Sequence, residues 1–299
     1  YLDAGSHVET ATPECVSARQ VVAYEKALEK MMASKARKFN KRFPSRGKFI
    51  LLKNNADFSD HAYGCHENYL VPSDLWSELV FKSHEYLSRI FQVFLAVRPI
   101  LCGSGYVAQD ARFLFSRRAM FIKHIANTNT QSDRPIINQK NESLALPGLS
   151  RLHLLVADSN MSEFSAYLRA GTTHLVLLAL EKLLKNEKAP VNIGIFAGNL
   201  DVLKLMKEMN DDIACVKLYS AGFFTKISVC DLHRLFINFI NDAIHDAISR
   251  EEKEILALWS ECVEKIKEGD DDYLSCRLDW AIKKKLMESI PPPMYKQLK

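Results

Sequence analysis

Apolar residues recur at helical spacing over several long stretches of the chain. From Ser17 to about Arg42 this spacing predicts a helix with Ser17 as its N-cap. A second long helix is predicted to begin at Pro72-Ser73 and to continue to about Phe94. The further predicted helices are 162–185, 200–209, 231–249, 251–267 and 273–288, with a turn at Gly269.

Shorter apolar segments between these helices are typical of strands. They are 48–53, 63–71, 113–116 and 151–157. Strands separated by long helices, followed by a helical tail beyond Asp231, predict an α+β fold.

The composition excludes several classes of protein. Of 299 residues, 47% are hydrophobic and 25% charged, which is typical of a globular protein. A net charge of +4 is too small to indicate a nucleic-acid-binding domain. We find no apolar run close to the roughly 20 residues that span a membrane. Seven scattered cysteines without a C-x-x-C pair argue against a zinc ribbon or a disulfide scaffold and favour the cytoplasm.

The first segment carries a phenol, an imidazole and two carboxylates at alternating positions. If residues 1–9 form one extended strand, then Tyr1, Asp3, Gly5, His7 and Glu9 share a face. Two carboxylates on one face can divide the chemistry, since one holds a divalent cation and the other accepts a proton. A solvated strand face is the alternative interpretation.

Two later segments place histidines on strands. His66 and the adjacent Cys65 point to opposite faces, which excludes a thiol–imidazole nucleophile pair. His153 shares a face with Arg151, and this pair suits an anionic oxygen such as that of phosphate. The alternative interpretation of His66 is a hydrogen-bonded residue of the core. The alternative interpretation of Arg151 and His153 is the solvent-exposed face of an edge strand.

The usual phosphate-binding loops do not occur in the sequence. There is no G-x-x-x-x-G-K-[ST], and no G-x-G-x-x-G follows a strand, so a nucleotide would be bound by a different fold. The basic residues between Lys35 and Lys48 are typical of a solvated helix face, or alternatively of a docking surface for an acidic partner.

Six segments together resemble the family of Pup–protein ligases and depupylases, which are relatives of glutamine synthetase. They are YLDAGSH-E-ATPEC at 1–15, KNN-D at 53–57, YGCHENYL at 63–70, RPIIN at 134–138, RLH at 151–153 and DSNMSE at 158–163, with a weaker match, LDW-IK-KL, at 278–286. The resemblance implies a curved, mostly antiparallel glutamine synthetase-like sheet packed by long helices. It also implies that 1–299 is one incomplete catalytic domain, truncated at both ends and mainly helical over 231–299.

The resemblance implies an ATP-dependent ligase acting on Pup, a small disordered protein tag. The C-terminal glutamate of Pup is phosphorylated on its side chain, and a target lysine then displaces the phosphate. The expected partners are Pup, lysine-bearing proteins and, indirectly, the proteasome. Because the first family strand would be absent before Tyr1, we expect this stretch alone to be inactive.

Residue by residue, the resemblance implies Asp3 as the catalytic aspartate and Thr12 as an ATP contact. Arg151 is assigned a phosphate contact on its chemistry alone. The metal-contacting positions that it implies are Tyr1, Glu9, His66 and His153. We expect Mg²⁺ as the cation, with Mn²⁺ as the alternative that histidine prefers.

The chain departs from the family pattern at several positions. Val8 and Thr10 replace the usual Pro and Tyr, and residues 139–142 (QKNE) replace a Thr-Arg-Asp-Glu block. Lys140 keeps a positive charge there but lacks the bidentate fork of arginine.

Two of the matching segments bear on which activity of the family is expected. The GSH form at 5–7 and Cys65 favour the ligase over the depupylase branch. A non-catalytic Pup-binding protein and a small-molecule carboxylate–amine ligase remain open.

Overall fold

The chain folds into two compact units. The computed structural model describes residues 1–2, 7–57, 61–82, 86–108, 110–130, 132–142, 145–186, 200–220 and 226–290. The first unit is Tyr1–Asn54 and the second is Asn55–Lys299. That the whole chain is one incomplete catalytic domain stays a prediction.

The first unit is dominated by one long helix, α1 (Ala18–Arg42). The predicted N-cap is confirmed, because the Ser17 hydroxyl accepts a hydrogen bond from the backbone of Gln20 at 3.2 Å. The strand predicted at 48–53 is wrong. The Asn40 side chain instead bonds both the backbone N–H and the carbonyl of Phe49, at 2.7 and 2.9 Å, and so supplies the partner that a strand would have supplied.

All the β-strands among the described residues that pair into sheets lie in the second unit. They are β1 (Glu67–Pro72), β2 (Tyr106–Val107), β3 (Phe113–Leu114), β4 (His124–Asn127), β5 (Pro135–Asn138), β6 (Leu149–Leu154), β7 (Tyr219–Ser220) and β8 (Lys226–Ile227). Within the described residues the largest sheet has the order β1-β6-β5-β4. β6 pairs antiparallel with β1 and β5, whereas β4 and β5 are parallel, so the sheet is mostly antiparallel as predicted.

Helices pack beside this sheet and form the helical C-terminal part. They are α2 (Ser73–Phe81), α3 (Tyr86–Val97), α4 (Pro99–Cys102), α5 (Glu163–Asn186), α6 (Val202–Met209), α7 (Val229–Ile244), α8 (Arg250–Glu268), α9 (Asp271–Leu274) and α10 (Asp279–Glu288). The single helix predicted from 73 to 94 is wrong, because α2 and α3 are separate. Gly269 ends α8 in a left-handed conformation (φ 68°), as its predicted turn requires. Among the described helices, none combines the length and apolar character needed to cross a membrane.

The core between α3, α7 and α8 is aromatic and includes one histidine. Phe94 lies against Phe236 and Trp259, with ring centroids 5.4 and 5.8 Å apart. His233 is fully buried; its Nδ1 accepts a hydrogen bond from the Trp259 indole at 3.0 Å, and its Nε2 donates to the Val97 carbonyl at 3.1 Å. Because both ring nitrogens are already paired in the neutral form, protonation would place two donors face to face.

We expect acid to destabilise the fold through His233. Burial lowers its pKa from 6.5 to about 4, so the unfolded chain binds a proton more readily than the native protein between these values. The His233 contribution to the free energy of unfolding is therefore present above pH 6.5 and falls by about 2 kcal/mol between pH 7 and pH 5. Urea unfolding of the full-length protein at these two pH values measures the loss. His233→Gln should be less stable at pH 7 yet lose less between pH 7 and pH 5, and an unchanged loss would contradict the assignment.

Candidate functional site

The polar face of the main sheet collects the residues predicted on the second and third segments. Asn68 of β1 pairs with His153 of β6, which pairs in turn with Asn138 of β5, so these three side chains lie side by side. His66, two residues before Asn68, shares their face. Since β6 lies between β1 and β5, the alternative that His153 lies on an edge strand is wrong.

Two imidazole rings meet on this face. The centroids of His66 and His153 are 4.9 Å apart. Burial, and then the charge of Arg151, lower the pKa of His153 to about 4. For His66, which is more exposed, desolvation acts with His153 and nearby guanidinium groups, and its pKa is also lowered to about 4. Both rings are therefore neutral at pH 7. The nearby guanidinium groups make this face of the sheet favourable for a negatively charged ligand.

Two arginines that the sequence analysis missed hold the backbone just before His66. Arg118, which is buried, donates to the carbonyls of Tyr63 and Leu155. Arg134 donates to the carbonyl of Ala62 at 3.1 Å. Arg134 belongs to the RPIIN segment, but its target is a backbone carbonyl far along the chain, which the sequence does not reveal. These guanidinium groups both position the His66 segment and make the site basic.

The opposite parity of Cys65 and His66 is confirmed. The Cys65 sulfur lies 3.8 Å from Nη1 of Arg169, on the buried side of the sheet, whereas His66 contacts His153. A nucleophile–base pair between these neighbours is therefore excluded by geometry.

Arg151 and the unusual segment 139–142 carry alternating charges. Nη2 of Arg151 lies 3.7 Å from the Glu142 carboxylate, and Nζ of Lys140 lies 4.0 Å from the same group. Arg151 is partly exposed, and its Nε has no hydrogen-bond partner among the described residues. An anionic ligand could therefore compete with Glu142 for Arg151.

Residues 1–2 pair antiparallel with residues 8–9, so the single extended strand expected over 1–9 is wrong. Tyr1 and Glu9 exchange backbone hydrogen bonds of 3.0 Å in both directions, and Leu2 is bridged to Val8. Asp3, the predicted catalytic residue, lies outside the described residues. Thr12 is partly buried in the same unit.

The antiparallel pairing of Tyr1 with Glu9 brings together two residues whose oxygen atoms suit a hard cation. Directly opposed residues of an antiparallel pair project to the same side, so the side chains of Tyr1 and Glu9 leave the same face of this pair, and both residues are exposed. These oxygen ligands fit Mg²⁺. Among the described residues as a whole, no group of three or more His, Cys, Asp or Glu side chains could hold a metal ion.

The buried face of the sheet carries a charge network. Glu67 forms a bidentate pair with Arg98, with N–O distances of 2.6 and 3.1 Å, and accepts a hydrogen bond from the Tyr69 hydroxyl at 2.8 Å. Arg98 also donates to Thr173 at 2.6 Å, and Arg169 lies 3.7 Å from Glu67. Burial would raise the pKa of Glu67, but the two guanidinium groups outweigh it and hold that pKa below its usual value.

A second network joins the DSNMSE segment to the LDW segment more than a hundred residues later. The Asp279 carboxylate accepts hydrogen bonds from Nδ2 of Asn160 and from the backbone of Met161 and Ser162, at 2.7 to 3.2 Å. Asp158 accepts from Ser104 at 2.8 Å. Asp158 and Asp279 therefore join segments of the chain that are distant in the sequence.

Comparison with known proteins supports the family suggested by the sequence. The profile of Pup-ligase proteins matches residues 1–294. The chain belongs to the Pup-ligase family. Among curated members of this family, the Pup–protein ligases of Paenarthrobacter aurescens (strain TC1) and Arthrobacter sp. (strain FB24) are 32% and 31% identical over 96% and 97% of the chain. The chain spans 62% of the length of each.

Solved structures of Pup ligases share this fold. The structure of the Pup ligase PafA in complex with ADP superposes with a TM-score of 0.78 at 28% identity, covering 96% of this chain and 62% of that one. The complex between Pup and its ligase PafA gives the same TM-score at 26% identity, covering 96% and 58%. The prediction of an α+β Pup-ligase fold with a mostly antiparallel sheet is thereby confirmed.

Proposed function

We propose that the full-length protein is an ATP-dependent ligase that joins Pup to lysine side chains of other proteins. The observation that carries this proposal is the match of the Pup-ligase family to residues 1–294. Pup-bound proteins would then be delivered to the proteasome, and we place the reaction in the cytoplasm. The basic surroundings of the polar sheet face, to which Arg118, Arg134 and Arg151 contribute, support an anionic, phosphate-bearing substrate.

The reaction proceeds in two displacements. A carboxylate oxygen of the C-terminal glutamate of Pup attacks the γ-phosphorus of ATP, and ADP leaves. This first step leaves an acyl phosphate on the glutamate side chain. The lysine amine then attacks the carbonyl carbon of the acyl phosphate, inorganic phosphate leaves and an isopeptide bond forms. The amine must lose a proton in the second step, which Asp3 accepts as general base.

The remaining predicted residues bind and orient the substrates. Thr12 contacts ATP, and Arg151 binds a phosphate oxygen in place of Glu142, which lies 3.7 Å from it. Tyr1 and Glu9 of the first unit would hold Mg²⁺ through their oxygen atoms. When bound, that ion neutralises charge on the phosphates.

The test is a conjugation assay with the full-length protein, Pup, ATP, Mg²⁺ and a lysine-bearing protein. We expect new Pup conjugates, with ADP and phosphate released in proportion and the isopeptide bond identified by mass spectrometry. Loss of preformed conjugates without new ones would identify a depupylase instead. Binding of Pup without ATP turnover would identify a non-catalytic partner, and acceptance of free glutamate in place of Pup would identify a small-molecule ligase.

A further inference from the structure

Asn138, the last residue of β5, has an amide whose orientation is determined by its neighbours. Its Oδ1 accepts a hydrogen bond from the backbone N–H of Lys140 at 3.0 Å. A backbone N–H can only donate, so the oxygen must face Lys140 and the NH₂ group must face the other way. That NH₂ group lies 3.1 Å from Nδ1 of His153.

This arrangement determines which nitrogen of His153 carries its proton. Because Asn138 donates to Nδ1, Nδ1 is an acceptor, and the proton of the neutral ring is on Nε2. Nε2 is buried and has no hydrogen-bond partner among the described residues, and His153 as a whole is 8% exposed. A buried N–H donor without an acceptor is an unusual and costly feature, which a ligand oxygen would relieve.

We propose that His153 donates a hydrogen bond from Nε2 to a phosphate oxygen of the nucleotide, and that Asn138 is the positioning residue that selects this tautomer. The inference rests on the proposed function, and it replaces the predicted role of His153 as a metal ligand. A metal ion needs a lone pair on the nitrogen that faces it, whereas Nε2 presents a proton.

The charges around His153 favour the same conclusion. Arg151 shares its strand face, and Arg118 and Arg134 hold the segment that precedes His66. Positive charge concentrated here attracts an anion and opposes a divalent cation. The His66 ring is exposed and lies 4.9 Å from that of His153, measured between the ring centroids.

Two substitutions at His153 distinguish a donor from a metal ligand. The amide of His153→Gln retains an N–H donor at similar reach but replaces the imidazole, whereas His153→Ala removes both. In the full-length protein we expect His153→Gln to bind ADP within about threefold of the wild type and His153→Ala about tenfold more weakly. The Mg²⁺ concentration required for ADP binding should be unchanged in both, as measured by calorimetry at varied Mg²⁺. A Mg²⁺ requirement raised about tenfold or more in both variants would overturn the proposal in favour of a metal ligand.

The tautomer itself is observable without any change at His153. Nitrogen NMR of the histidine-labelled wild-type protein should show His153 protonated at Nε2, and Asn138→Ala should produce a mixture of tautomers. Protonation of the wild-type ring at Nδ1 would overturn the inference even if the variants failed to fold. If the wild type binds no ADP, the proposed function fails, whereas the tautomer measurement still decides the role of Asn138.

Discussion

Asp3→Asn is expected to slow Pup conjugation by the full-length protein by about 10²–10⁴-fold. The amide has nearly the same size as the carboxylate but does not accept a proton from the attacking lysine amine at neutral pH. The loss should therefore appear in the rate of conjugate formation at saturating Pup and ATP. Initial rates followed by gel densitometry, with the conjugate confirmed by mass spectrometry, measure it.

A matched control separates the loss of a base from a general loss of negative charge. Asp246→Asn makes the same change on a fully exposed residue of the second unit, and its rate should stay within twofold of the wild type. ADP affinity should also be retained in Asp3→Asn, because the assigned role is proton transfer. Wild-type activity in Asp3→Asn would remove Asp3 from catalysis, and a large loss of ADP affinity would assign it to nucleotide binding instead.

The elements predicted correctly are those specified by nearby residues. Ser17 caps α1, and Gly269 ends α8, because a cap or a left-handed residue acts within one helical turn. α5, over Glu163–Asn186, follows an apolar pattern that needs no distant partner to be recognised. Local signals of this kind are readable from a single sequence.

The errors concern contacts that are distant in the sequence or that change the chain direction. The segment 48–53 has strand composition, but Asn40, on the preceding helix, occupies the backbone groups of Phe49. The first nine residues satisfy the alternation of a strand, yet Glu9 pairs back to Tyr1. Alternation does not distinguish one extended strand from two short segments that pair with each other, because each paired segment alternates as well.

The candidate site was only partly predictable for the same reason. Strand parity correctly separates Cys65 from His66, and it places His153 on the same face of β6 as Arg151, whose charge acts on the His153 ring. Parity gives the face of a residue but not the orientation of an amide, so the contact of Asn138 with Nδ1 of His153 could not be foreseen. The position of Asn138 at the end of the RPIIN segment was the available signal.

The buried ion pair of Glu67 with Arg98 could not be predicted from the sequence either. We expect Glu67→Gln to lower the free energy of unfolding. The substitution preserves shape while removing the negative charge that both Arg98 and Arg169 face. Two buried guanidinium groups then remain uncompensated, and we expect the free energy of unfolding to fall by about 3–5 kcal/mol. Chemical denaturation of the full-length protein, followed by circular dichroism, measures this loss.

The same substitution on an exposed ion pair provides the comparison. Glu288 of α10 lies 3.0 Å from Lys284, with side-chain exposures of 62% and 31%, and Glu288→Gln should change stability by no more than about 0.5 kcal/mol. Equal effects of the two variants would contradict the assignment of Glu67 as the charge that balances the buried arginines. A large loss of stability in Glu67→Gln, without one in Glu288→Gln, would show that the fold tolerates two buried arginines only because the Glu67 carboxylate of β1 balances their charge. Glu67 is adjacent to His66, which lies on the opposite face of the sheet.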